Sequence, residues 1–150
     1  MSNDRIRILL NETLLEGLRQ PDENLKYPVF INGIQDMSLD ETYIQADLIP
    51  SPVINGTLGG DHKGFIGIYQ MTIKASNGME LTDPTVDLND VIAAVVADLQ
   101  EVFPINSRIG DENEFVVQVL TSISVSQTTR ERTGSKWEAH AYFTYRADTN

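Results

Sequence analysis

Three stretches of this chain alternate apolar and polar residues with a period of two, and nothing else in it constrains the fold as strongly. In Gly64 to Lys74, Phe65, Tyr69, Met71 and Ile73 share one side, with Ile66, Ile68, Gln70 and Lys74 on the other. In Glu114 to Ser126, Phe115, Val117, Val119, Ile123 and Val125 face one way, against Gln118, Ser122, Ser124 and Ser126. The last stretch sets Trp137, Ala139, Ala141, Phe143 and Tyr145 inward and Lys136, Glu138, His140, Thr144 and Arg146 outward. Period two sustained this long marks half-buried antiparallel strands and rules out helix. Thr128 to Ser135 joins the last two as a hairpin tip.

Helical spacing occupies two other segments. From Asp4 to Arg19, Ile6, Leu9, Leu10, Leu14 and Leu18 recur at three and four. Ser2, Asn3 and Asp4 can cap that helix, and Gln20-Pro21 ends it. In the second, Leu88, Val91, Ile92, Val95, Leu99, Val102 and Phe103 form an apolar stripe, with Asp87 and Asp90 as a capping-box variant and Phe103-Pro104 as the stop. Tyr43 to Pro50 reads as a further strand, and Tyr27 to Ile31 as a short extended piece. The expected fold is α+β: a mixed, mostly antiparallel sheet of about five or six strands packed with two helices. A length of 150 residues without internal repeat or linker suits a single domain over 1–150.

Composition narrows the chemistry. A formal charge of −11 argues against a tightly held nucleic acid, whose affinity comes largely from phosphate neutralisation. The absence of cysteine removes disulfides, thiolate metal sites and cysteine nucleophiles. No apolar run approaches the roughly 20 residues of a membrane span, and the N-terminus lacks a signal peptide's apolar core. The expectation is a protein made and used in a cytoplasm, without a membrane.

No motif for catalysis or for a cofactor emerges. The glycine-rich stretch Asn55 to Gly64 lacks phosphate-loop spacing, and a strand rather than a helix follows it. His62 and His140 are the two histidines, with no second ligand at zinc spacing, and His140 falls on a polar strand face. Asp111 to Glu114 reads as a turn, Asp87 and Asp90 as helix caps, and no EF-hand spacing appears among the remaining carboxylates. Trp137, Phe143 and Tyr145 share one face, where core packing explains them. The expectation is no enzyme, no metal and no cofactor.

The order of these elements, with Tyr43 to Pro50, the Asn55–Gly60 turn, the Gly64 strand, the Asn77-Gly78 loop and the helix ending at Phe103-Pro104, resembles the tail terminator family of tailed bacteriophages (tail completion, lambda-like minor tail protein U). The resemblance runs from Asp4 to about Arg146, with one departure: Ala75-Ser76 stands where the family has a proline at the strand end. It implies a structural protein of the virion, placed at the head-proximal end of the tail. There a homohexameric ring caps the finished tail tube, stops its polymerisation and joins the tail to the head. Implied partners are further copies of the chain, the tail tube protein and a head-completion or neck protein. DNA would pass through the lumen without specific binding, and an acidic lumen would repel it.

On that reading the exposed loops carry the contacts. Asn55, Thr57, Leu58, Asp61, His62 and Lys63 form one candidate interface, with Leu58 able to bury in a neighbour. Arg130, Arg132 and Lys136 form another, a cationic cluster suited to an acidic partner subunit. Alternatives are a head–tail connector ring of the neck and, from other classes, a sheet-edge peptide adaptor or a small hydrolase.

Overall fold

The computed structural model describes residues 3–31, 42–50, 54–55, 63–76, 88–111, 115–126, 129–130 and 136–149. Its elements run α1 (Asn3–Leu18), β1 (Val29–Ile31), β2 (Tyr43–Pro50), β3 (Ile54–Asn55), β4 (Lys63–Ser76), α2 (Leu88–Val102), β5 (Arg108–Asp111), β6 (Phe115–Val119), β7 (Ser124–Val125), β8 (Thr129–Arg130) and β9 (Lys136–Thr149). One sheet holds all the strands in the order β1-β2-β4-β9-β6-β5; β3 pairs with β4, and β7 and β8 with β9. Every pairing is antiparallel except β1 with β2. This is the α+β arrangement that the alternation predicts.

The spine of the molecule is the ribbon of β4 and β9, each 14 residues long and paired from Gly64↔Asp148 to Ser76↔Lys136. The odd-numbered positions of both strands face the helices. Phe65, Tyr69, Met71, Ile73 and Ala75 are buried there, as are Ala139, Ala141, Phe143, Tyr145 and Ala147. Gly67 pairs with Tyr145 across the ribbon, and a Cβ on it would come within 2.6 Å of both the Tyr145 hydroxyl and the Ile49 carbonyl oxygen. Only a residue without a side chain lets that phenol lie flat across its neighbour.

The helices fill the core from one side. Ile6, Leu10, Leu14 and Leu18 descend α1 at intervals of four, and Ile92, Val95, Val96 and Leu99 line the buried side of α2. Phe103, just past α2, closes a cluster with Tyr69 and Phe143, with ring centroids 4.9–5.7 Å apart. Among the described residues no helix lies on the sheet's other face, where Phe30 meets Tyr43 edge to face at 5.3 Å. No helix among the described residues is long and apolar enough to cross a membrane.

One strand departs from its expected form. Residues 114–126 read as one continuous strand but divide into β6 and β7. Between Val119↔Tyr145 and Ser124↔Tyr142 the outer strand advances five residues while β9 advances three. The amide of Leu120 still donates to the Thr144 carbonyl at 2.8 Å, and the Thr121 hydroxyl accepts from the Thr144 amide at 3.0 Å, replacing a lost ladder bond. The surplus is an even number, so Ile123 keeps the inward phase of Val119 and is buried. Val125 holds the same phase but is 41% exposed, at the periphery of the core.

Candidate interaction surfaces

The two loop candidates attach at opposite ends of the β4–β9 ribbon. Asn55 pairs with Lys63 where β4 begins, and Arg130 pairs with Trp137 where β9 begins, beside Lys136↔Ser76. Thirteen steps of strand separate these ends, about 40 Å at 3.3 Å per residue. The described anchor points of the two expected sites are therefore far apart along the ribbon. Thr57, Leu58, Asp61, His62 and Arg132 lie outside the described residues, as does most of the 128–135 tip.

On the sheet face away from α1 and α2 a polar row crosses three strands. Gln45, Thr72 and His140 are register partners. The Thr72 hydroxyl lies 2.9 Å from His140 Nδ1, with Gln70 Nε2 at 3.4 Å. Glu138 stands 4.0 Å from His140 Nε2 and 3.8 Å from Lys74 Nζ. The His140 amide donates to the Ser126 hydroxyl at 2.8 Å, and the Ser126 amide to the His140 carbonyl at 2.9 Å. His140 is thus half-buried and built into cross-strand hydrogen bonding, more engaged than its sequence position suggests. Thr72, 5% exposed, spends its hydroxyl in this row and offers no open nucleophile. Tyr142 stands exposed on this face, while Phe143 and Tyr145 are core.

Two hollows lie beside the contact between the two helices. The helices pinch together at Gly17, where a Cβ would meet the Val102 methyls at 2.5 and 2.7 Å, so only glycine permits the approach. On one side of the pinch a groove of about 550 Å³ is lined by Leu9, Glu12, Thr13, Glu16, Gly17, Glu101 and Val102. On the other, a hollow of about 440 Å³ includes Arg19, Lys26 and Asp98.

Asp98 clasps α2 to the segment after α1. It accepts from the Tyr27 hydroxyl at 2.6 Å and pairs with Lys26 Nζ at 3.0 Å. Burial opposes its ionisation, but hydrogen bonds from Tyr27 and Lys26 and the Lys26 charge outweigh it, holding the carboxyl below its ordinary range. The Tyr27 phenol is pushed up by burial, then by its bond to Asp98 and that residue's charge. In the core, the Tyr69 hydroxyl donates to Asn11 Oδ1 at 2.7 Å. Burial, reinforced by the charge of Asp47, drives its ionisation well above the phenol range. Burial also raises Tyr145, whose hydroxyl has no hydrogen-bond partner among the described residues.

No group of three or more metal-binding side chains gathers among the described residues. Asp111 ends β5, Asp90 is exposed in the first turn of α2, and Asp36, Asp40, Glu41, Asp83 and Asp87 lie outside the described residues. The groove, the Asn11–Tyr69 pair and the Tyr27–Asp98 clasp are absent from the sequence reading. Glu12 and Glu16, like charges one turn apart on α1, were the one available hint of the groove.

No protein-family model matches this chain, and no curated protein does. Nine solved chains match it. One, whose name states no function, superposes with a TM-score of 0.70 at 22% sequence identity, covering 98% of this chain and 96% of that one. At that identity the likeness concerns the fold alone.

Proposed function

We propose that this protein is a phage tail-terminator subunit, a structural ring component that caps a tail tube and presents a surface to the head. The observation that supports this reading is the element order along nearly the whole chain: a first helix, central antiparallel strands, a second helix, and a closing set of strands dominated by β9. That is the order of the family which the sequence resembles. The geometry is compatible with its assembly, because contacts at opposite ends of one ribbon suit the heterologous, head-to-tail interfaces from which rings close. The activity resides in surfaces rather than in a catalytic centre: one face copies a tube subunit's contact, and the other cannot nucleate a further ring.

The test is direct. Light scattering across concentration, with negative-stain images of the same sample, should give closed rings of about six subunits. Addition of the protein to polymerising tubes of its cognate tail protein should shorten them. Tubes that grow to the same length with and without it would overturn the reading.

A further inference from the structure

The groove beside Gly17 has a composition that selects its occupant. Its floor is apolar, formed by the half-buried side chains of Leu9 and Val102 around Gly17. Its rim carries Glu12 and Glu16, one turn apart on α1, and Glu101 on α2, all exposed. Like charges at such spacing oppose one another. Glu16 is partly relieved by Arg19 at 3.3 Å, whereas Glu12 and Glu101 make no ion pair among the described residues. An apolar floor beneath carboxylates fits the long side chain of an arginine or lysine, its methylenes on the floor and its cation at the rim.

We propose that this groove receives the cationic end of the β8–β9 hairpin from a second copy of the chain. The inference rests on the ring reading above and names the contact that would build it. The segment from Arg130 to Lys136 holds Arg130, Arg132 and Lys136, three of the eleven cations in a chain of charge −11. Much of the other cationic surface is spent internally: Arg7 on Asp4, Arg19 on Glu16, Lys26 on Asp98, Lys74 on Glu138. A chain this acidic repels its own copies unless opposite charges are concentrated where they meet, and here the acidic groove and the basic segment are such a pair.

The segment does not reach the outer end of its own groove. A Cβ on Gly110 would lie 3.2 Å from Leu9 Cδ2, which places Leu9 over β5. Gly110 pairs with Val116, and Val116 with Asp148. From Asp148 back to Lys136 is about 40 Å of strand. The five residues between Arg130 and Lys136 span at most about 18 Å when fully extended. A cation seated at the Leu9 end of the groove therefore comes from another molecule, and the contact joins two different surfaces. Repetition of such a contact produces a head-to-tail series that closes into a ring or grows as a filament.

Charge reversal tests this. One variant carries Glu12→Lys and Glu101→Lys; the other carries Arg130→Glu, Arg132→Glu and Lys136→Glu. All of these positions are tested in the full chain, with circular dichroism confirming that each variant is folded. Sedimentation velocity at about 0.15 M salt should show each variant self-associating at least about tenfold more weakly than the wild type. An equimolar mixture should restore assembly, because each basic groove then meets an acidic hairpin and each acidic groove a basic one. Rings that form despite both reversals would overturn this contact and leave the ring reading standing. Reversal-sensitive open filaments would uphold the contact and overturn closure. Weakening that mixing does not repair, or a wild type that stays monomeric throughout, would overturn the proposal.

Discussion

Asn11 illustrates how a single residue escapes pattern reading. On a helix with leucines at every fourth position, an asparagine beside them reads as solvent-facing. It is instead 7% exposed and accepts the buried Tyr69 hydroxyl. The two residues lie 58 positions apart, so no local pattern connects them. Replacing Asn11 by Leu leaves the phenol buried without its acceptor and should cost about 1–3 kcal/mol. Tyr69→Phe should cost a similar amount, and the double variant should recover much of the sum. Urea denaturation of all four proteins measures the coupling, and strictly additive losses would show that the bond contributes nothing.

At the scale of elements, the long strands were legible because one buried face enforces period two on Phe65 to Ala75 and Ala139 to Ala147. The bulge after Val119 was not, because an even surplus leaves the alternation looking unbroken through Ile123. Glycine at 17 gave no warning that α2 approaches there. Nor did Tyr27 and Asp98 announce a clasp 71 residues apart in sequence. That clasp makes a pH prediction. The Asp98 carboxyl titrates lower in the fold than in the unfolded chain, so its contribution is complete above the ordinary carboxylate value of about 4 and is lost as pH falls through the depressed one. Asp98→Asn should therefore lower the Tm at about pH 7, and the gap to the wild type should shrink toward about pH 3. A gap that stays constant over that range would rule out the ion-paired clasp. On the alkaline side the sign reverses: the protonated Tyr27 phenol contributes below about 10, and its contribution disappears as pH climbs toward its raised value.

For the whole molecule, the dominant pairing joins Gly64–Ser76 to Lys136–Asp148, segments far apart along the chain. Closing so large a loop before contacts repay it slows folding, so refolding should take milliseconds to seconds. Stopped-flow fluorescence of Trp137 measures this, and microsecond refolding would mean that local elements dominate the barrier instead. The length of that ribbon also has a geometric corollary. In a closed head-to-tail assembly, the distance from a subunit's donating end to its receiving end is the side of a polygon. With the six subunits of the proposed ring, sides of about 40 Å would enclose a hexagon about 80 Å from corner to corner. Strand length would then serve as a ruler for the bore, two residues added to both β4 and β9 widening the assembly by about 13 Å.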